Sequence, residues 1–544
     1  MNIKTKLDHI SSDFITQYLS ALGIEDVKRY LKPTKKNYES HWNYLNIDKA
    51  VEILNWYVET NDNPIGIICD SDADGACSAA LIYNFLTFVG KTNIKMYFHE
   101  GKQHGITDKL EEIIASNGPN SLLIVPDAGS NNVEECKTLK ENGIEVLIAD
   151  HHIFEETNAY ATIVNNQLEG VENKSLSGTG VTDKLVHAYC EKYNIKYPNY
   201  TDLVAVSLVT DICDLTSMEN RWYLYNGLKT ITNPFLNYLF EKCCKRRGYT
   251  PEAIGWDIGP LANALARSEE QENKTLFFDG LIGKIEPEEA LKKIRKVKRT
   301  QDEEVKSVVE EIEPNLDFST KVIIGFTSPE KANFTGLIAN KFTGKYNKPT
   351  ILLRDTGYGS WSGSLRSPTP LATKINESGI ASAQGHEEAC GVLVKKKNLE
   401  SFIKWLNFLD LSEKPEVEVT AKVSPKDITL DICQVISEWK QLWGKGIEAP
   451  TFAIETTLTK DKVFVFEKSS KTLKLDLGSI GCLKFFASDN DIEAFRKYDK
   501  FNVQLIVGDL DINEYEGVKT PQAMIKDYEI TPVVKEKESW EDNF

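Results

Sequence analysis

The sequence predicts an α/β protein built as a mostly parallel, doubly wound sheet, a long linking helix, a smaller α/β unit and a C-terminal β-barrel. Three observations carry this. Between residues 64 and 170, short runs rich in β-branched and aromatic residues alternate with helix-like stretches, as parallel strands joined by crossover helices require. Pro287–Ile312 is highly charged at helical spacing, which suits a connecting helix. Alternating apolar and polar strands follow residue 450 at short intervals, as in a small barrel.

In the first unit the predicted strands are Pro64–Cys69, Ile94–Phe98, Leu122–Val125, Val146–Ala149 and Ala161–Val164, with helices over Ala76–Phe88 and Asn132–Asn142. Residues 200–300 look mainly helical. A second α/β unit opens at Lys321–Phe326 and continues through a helix to a strand at Pro349–Leu353. The third follows the Lys395–Lys397 run and the Lys414-Pro415 linker, with strands around Phe452–Leu458, Lys462–Glu467 and Phe501–Val507. The units so delimited are an N-terminal segment at 1–60, the doubly wound unit at 61–285, the helix at 286–315, the smaller unit at 316–412, the barrel at 413–535 and an acidic tail at 536–544.

At 544 residues the chain exceeds a single core. Its 41% hydrophobic and 27% charged residues are ordinary for soluble protein, and no apolar run is long enough to predict a membrane span. Met1–Lys6 runs into polar residues, not an apolar signal core. The ten cysteines form no CxxC pair, and the adjacent Cys243 and Cys244 have no metal-ligand spacing, so reduced thiols and a cytoplasmic location are expected. A net charge of −17 argues against non-specific duplex binding. It leaves room for an enzyme whose acidic centre holds metals while a local groove holds phosphates. Basic residues cluster at Lys242, Lys245, Arg246 and Arg247 and along Lys292–Arg299. Each run is either a solvated helix face or part of such a groove.

Four acidic or histidine clusters carry the chemistry, and three follow predicted strands. Asp70-Ser71-Asp72-Ala73-Asp74-Gly75 follows the first strand, Asp127 the third and Asp150-His151-His152 the fourth; Asp211 lies in Val209–Asp214. Ligands bind open parallel sheets outside the carboxyl ends of the strands, so one crevice receives all three strand-end clusters. Crowded carboxylates repel one another unless cations neutralise them. Oxygen and imidazole donors without thiolate suit Mn²⁺ or Mg²⁺ better than structural zinc. Two such ions about 3.5–4 Å apart can activate a water and clamp the leaving oxygen in phosphoryl transfer. Each cluster also has a plainer explanation. The DxDxDG run resembles the start of a calcium loop, but that loop needs a late glutamate where this chain has Leu81. Asp127 alone suits a helix cap, and His151 and His152 could be one structural and one exposed residue. Together, in this order, they point to a metal site.

These four clusters resemble, in order and approximate spacing, the motifs of the DHH phosphoesterases. The resemblance implies a two-ion centre of Mn²⁺ or Mg²⁺ held by Asp70, Asp72 and Asp74 (which two bind directly stays open), Asp127, His151 and Asp211. Asp150, His151 and His152 are then its catalytic triplet, with His152 beside the scissile phosphate. Further segments resemble the RecJ exonucleases: Ser177–Gly180, Asn220-Arg221, Gly259–Arg267, Gly363–Ser367 and Gln384–Gly391, the last two in the associated DHHA1 domain. That similarity implies a substrate phosphate held by Ser364 and Arg366, with Gly385, His386, Asn263 and Arg267, and His386 facing the metal centre. An Arg fork and a hydroxyl suit a phosphate; the plainer role for Arg366 is a structural ion pair. Trp443–Phe452 is similar to the entry of the RecJ OB-fold, a barrel that pairs a basic groove with stacking aromatics. Trp443, Phe452, Phe464, Phe466 and Phe485 are the available rings.

Departures from the RecJ pattern fall outside the metal ligands. Gln384 replaces a glycine, Leu365 stands where glycine is common, Leu261 replaces a frequent arginine, and Gly336–Lys341 lacks the Ser-Arg ending. The loop Phe98–Gly105 is only distantly like a family loop whose arginine reaches a phosphate, and His99, Lys102 and His104 are its candidate substitutes. Such divergence would suit a mobile-element or phage-borne version. The resemblance implies a single-strand-specific 5′→3′ DNA exonuclease in recombination, repair or replication, monomeric, off the membrane, with single-stranded DNA and a single-strand-binding protein or helicase as partners. The alternatives are a DHH phosphatase or phosphodiesterase for short oligonucleotides or cyclic dinucleotides, and a non-catalytic scaffold that binds DNA.

Overall fold

The computed structural model describes residues 1–533 except 12, 61, 101–102, 155–157, 412–415 and 468–470. Lys102, the Lys414-Pro415 linker and the acidic tail lie outside the described residues. The chain opens with a short strand β1, Ile3–Thr5, and the helices Phe14–Ala21 and Ile47–Glu59. The first sheet is formed by β2 (Ile65–Cys69), β3 (Ile94–Phe98), β4 (Ser121–Pro126), β5 (Ile144–Asp150) and β6 (Thr162–Asn165). Their order is β3-β2-β4-β5-β6, all parallel. Every residue of β2 and β4 is buried, which explains their continuous apolar runs: helices cover both faces.

This topology makes the crevice. From β2 the chain crosses to β3 on one side and then to β4 on the other, so the switch point lies between β2 and β4. Those two strands pair only from Ile65↔Leu122 to Ile67↔Ile124 and part before Asp70 and Asp127. The following helix begins at Ala73, three residues before the expected start, because Asp72 caps it and draws Asp74 and Gly75 into its first turn. Further helices include Gly178–Lys192, Thr201–Thr210, Met218–Lys229, Gly259–Ala266 and the linking helix Pro287–Ile312.

The second sheet comprises β7 (Ile323–Thr327), β8 (Thr350–Asp355), β9 (Ser360–Arg366), β10 (Ala381–His386) and β11 (Ala389–Lys395), in the order β10-β11-β9-β8-β7. The helix Thr335–Tyr346 packs on it. After β12 (Val417–Val419), the last sheet joins β13 (Ala421–Val423), β14 (Phe452–Thr459), β15 (Val463–Glu467), β16 (Lys471–Asp476), β17 (Gly481–Phe485), β18 (Lys500–Tyr515) and β19 (Val518–Pro532). β18 runs well beyond the expected Val507, with register shifts at Ile506/Val507 and Gly508/Asp511 that bend it.

The N-terminal segment, left without a role by the sequence, ties the first unit to the last. β1 pairs in parallel with β12, Phe14 packs 5.8 Å from the Phe452 ring, and the Tyr18 hydroxyl donates to the Glu448 carbonyl at 3.0 Å. Arg221, fully buried, donates to the carbonyls of Tyr30 at 3.2 Å and Gln441 at 3.0 Å. Among the described residues no helix is long and apolar enough to cross a membrane, and none of the ten cysteines is paired.

Candidate metal centre and phosphate site

The centre is assembled from four places in the fold. Asp70 follows β2 directly and is buried. Asp72 accepts the Gly75 N–H at 3.0 Å as the helix cap, and Gly75 is required because a Cβ there would lie 2.5 Å from the Asp70 Cβ. Asp74 is held by the N-terminus of the Gly178–Lys192 helix, accepting the N–H groups of Gly178 at 2.9 Å and Thr179 at 2.8 Å. Gly178 is equally constrained, since its Cβ would meet Asp127 Oδ1 at 2.1 Å.

Asp127 sits beyond β4 at φ +65°, a conformation costly for a residue with a side chain. Its N–H is fixed on the Ala149 carbonyl at 2.8 Å. The Thr201–Thr210 helix ends with the Cys213 N–H on the Leu208 carbonyl at 2.9 Å and Ile212 at φ +55°, where glycine is usual. That turn delivers Asp211. Asp150, at the end of β5, spends its carboxylate on protein: Oδ1 accepts His152 Nδ1 at 2.8 Å and the His151 N–H at 2.7 Å, and Oδ2 accepts the Ser130 N–H at 3.1 Å. It therefore orients the two histidines and points no oxygen at an ion.

The structure brings the six expected ligands together. His151 Nε2 lies 3.2 Å from Asp127 Oδ1, 3.8 Å from Asp211 Oδ2 and 3.9 Å from Asp74 Oδ2. Asp74, His151 and Asp211 form one possible ion-binding group, and Asp70, Asp72 and Asp127 another. Electrostatics mark the cluster as short of positive charge. Burial, then Asp74, Asp72, Asp70 and Asp211, push the Asp127 carboxyl well above the usual range. Burial and Asp74 push Asp211 up to about 6. Burial would also raise Asp150, but its hydrogen bond from His152 prevails and holds it at about 2. The same bond pushes His152 up to about 9.

The phosphate-binding candidates divide. Asp72, Asp74, Thr210, Asp211, Asn263 and Arg267 line one cavity of about 100 Å³ beside the centre. Burial lowers both Arg267 and Arg366 from the usual guanidinium range, and Arg267 is lowered further by the charge of Arg366, which faces it from the second sheet. Neither forms an ion pair with an acid among the described residues, so Arg366 is not a structural ion-pair partner there. Gly336 makes room for it, since a Cβ at that position would lie 2.8 Å from Arg366 Nη2. Ser364 Oγ lies 2.9 Å from Thr335 Oγ1. Gly385 and His386 stand exposed at the end of β10. His386 pairs in register with Ala389, itself opposite Arg366. Among the described residues no hydrogen bond or ion pair links His386 to the acidic cluster.

Of the two basic runs, the first is partly neutralised, with Arg247 on Glu252 and Asp257. From the second, Lys293 and Lys296 join Arg267 and Lys331 in lining a larger cleft of about 910 Å³. Two more histidines touch the centre. His104 Nδ1 lies 2.6 Å from Asp70 Oδ2. His99 lies with Nδ1 2.7 Å from Asp108 Oδ1 and Nε2 3.3 Å from Asp70 Oδ1. The sequence offered both only as stand-ins for an arginine; nothing in its spacing revealed Asp108 or the contact with Asp70.

Residues 64–208 match the model of the DHH family, N-terminal domain, and residues 419–527 match that of the RecJ OB domain. The single-stranded-DNA-specific exonuclease RecJ of Escherichia coli is 25% identical over 89% of this chain and 90% of its own length. The chain is a RecJ-like member of the DHH superfamily. Another relative of this RecJ-like chain is the provisionally named SPbeta prophage-derived single-strand DNA-specific exonuclease YorK of Bacillus subtilis, 28% identical over 97% of both chains. Its fold is shared by RecJ from Thermus thermophilus in complex with Mn²⁺, with a TM-score of 0.72, 19% identity, and coverage of 97% of this chain and 78% of that one. The same protein with Mg²⁺ aligns at a TM-score of 0.66, with 17% identity and coverage of 97% and 77%.

The residues of this RecJ-like centre fit a hard divalent cation. Its donors are carboxylate oxygens and imidazole nitrogen. Asp70 Oδ1 and Asp127 Oδ1 are buried without a hydrogen-bond donor, a costly state that a cation relieves. Cys213 is close to Asp211, but burial pushes its thiol well up, so it offers no thiolate.

Proposed function

We propose that this chain is a Mn²⁺- or Mg²⁺-dependent phosphodiesterase that removes nucleotides from the 5′-phosphate end of single-stranded DNA. The observation that carries this reading is one continuous site, in which Arg267 shares the cavity of the metal-binding carboxylates and faces Arg366 with no acid paired to either. Two unpaired guanidinium groups beside an ion centre suit a strand that presents more than one phosphate.

In the proposed division of labour Asp70, Asp72, Asp74, Asp127, His151 and Asp211 hold two ions. Bound there, the ions supply an activated water and charge neutralisation at the phosphoryl oxygens. Asp150 fixes His152, whose charge, favoured by that hydrogen bond, stabilises the scissile phosphate. Ser364, Arg366, Asn263 and Arg267 hold the 5′ end, and Gly385-His386 closes the site from the second sheet. The proposed domains are the catalytic DHH domain at 61–285, the helix at 286–315, a DHHA1 domain at 316–412 and the OB-like domain at 413–535.

The test is hydrolysis of 5′-phosphorylated single-stranded DNA with Mn²⁺ or Mg²⁺, beside duplex, RNA and dinucleotide substrates. Release of mononucleotides from the 5′ end of the single strand alone is expected. Cleavage of dinucleotides alone would keep the metal chemistry and remove the strand-binding account. No hydrolysis with either ion would leave a DNA-binding scaffold.

A further inference from the structure

We infer that His104 is a further substrate-contacting residue of this centre, its Nε2 edge donating to a phosphate oxygen of the bound strand while Nδ1 stays on Asp70. The inference rests on the phosphodiesterase reading above. Its basis is a device the structure uses twice. His152, 54% exposed, holds Nδ1 2.8 Å from a carboxylate oxygen of buried Asp150. His104, 52% exposed, holds Nδ1 2.6 Å from an oxygen of buried Asp70. One imidazole comes from the end of β5 and the other from the loop after β3, and both stand beside the same acidic cluster. A ring fixed in this way through Nδ1 presents Nε2 outward.

His99 cannot take that part. It is 1% exposed, with Nδ1 against Asp108 and Nε2 turned to Asp70, so it holds Asp70 in place. The loop that carries His104 is fixed at both sides. The Ser71 hydroxyl donates to the Gln103 carbonyl at 2.7 Å, and the Ile106 N–H donates to Asn132 Oδ1 at 3.1 Å. Gly105 between them, at φ +80°, approaches Asn132 so closely that a Cβ would lie 2.2 Å from Oδ1. A donor placed by such a loop needs little further ordering when the strand arrives. It also sets a cationic group against phosphate at a centre that is otherwise strongly acidic.

The two functions of the ring separate chemically. In H104N the amide can replace Nδ1 on Asp70 but nothing replaces Nε2; in H104Q the amide falls near Nε2. Kinetics on 5′-phosphorylated single-stranded DNA are measured for both variants, with Mn²⁺ affinity read independently by electron paramagnetic resonance without substrate. Losing a hydrogen bond to a charged group corresponds to a drop of about 10- to 100-fold in kcat/KM, expected for H104N while its Mn²⁺ affinity stays within about threefold. H104Q should exceed H104N. The inference fails if H104N matches or exceeds H104Q, or if Mn²⁺ affinity falls in step with activity. A wild-type chain inactive on the strand would instead remove the functional reading beneath it.

Discussion

The Gly178–Lys192 helix joins two buried ionic clusters that solve opposite problems. At its N-terminus lies the metal centre; one to two turns along, Asp183 and Lys184 enter a polar network beneath the N-terminal segment. In the network every charge has a partner. Lys184 pairs with Glu219, donates to the Glu39 carbonyl at 2.6 Å and lies 3.5 Å over the Tyr38 ring. Asp183 accepts the hydroxyls of Tyr197 and Tyr223, and Glu219 also accepts the Glu39 N–H at 2.9 Å and Asn173 Nδ2 at 3.0 Å. In the metal centre Asp127, Asp72 and Asp211 are pushed upward by burial and by one another. Charge that is balanced from within the chain stabilises a fold; charge left unbalanced in a crevice marks where a cation from solution belongs.

Breaking the unbalanced cluster should affect activity most. Asp127→Asn keeps a residue type tolerated at positive φ and removes a ligand. Hydrolysis is expected to drop by about 10³-fold or more, without a fall in the melting temperature of the metal-free chain, because a repulsive charge has gone. Breaking the balanced cluster should do the reverse. Lys184→Met strands Glu219, so urea unfolding should show a loss of about 3–5 kcal/mol while the folded fraction keeps its activity. A smaller change is expected from Arg366→Ala: a rise of about 10- to 100-fold in KM for 5′-phosphorylated strands, less for strands with a 5′ hydroxyl.

The smallest expected effect is in pH dependence, where the clusters oppose each other. Asp211 is raised to about 6 in the folded, metal-free chain, so its contribution is fully present below its ordinary value and is lost as pH rises through about 6. His41 is lowered to about 4, chiefly by burial. Its contribution is present above the ordinary histidine value of 6.5 and is lost as pH falls towards 4. Melting curves of Asp211→Asn and His41→Phe between pH 4 and 7 should therefore shift the profile in opposite senses, and saturating Mn²⁺ should abolish the Asp211 part alone.

The parallel sheet was legible because β2, β4 and β5 are buried on both faces and therefore written as unbroken apolar runs. The ligand set was legible because the topology places strand ends together, so three motifs far apart in sequence converge by rule. Helical Asp72–Gly75 was missed as a helix start because the same aspartates serve as cap and ligand. The Asp70–His99–Asp108 contact, the Arg267–Arg366 facing and the N-terminal tie to the last sheet depend on side chains meeting across units. No local periodicity records such meetings. Asp150 illustrates the same limit: its place in a triplet suggested catalysis, and its hydrogen bonds assign it to holding His151 and His152.

The most direct test of the central claim is a Mn²⁺ titration of the metal-free chain, followed by calorimetry and electron paramagnetic resonance, in the wild type and in Asp127→Asn. Two coupled ions per wild-type chain, with binding weakened in the variant in step with hydrolysis, are predicted. Wild-type activity without bound ions, or an Asp127→Asn chain that binds two ions as tightly, would contradict the account.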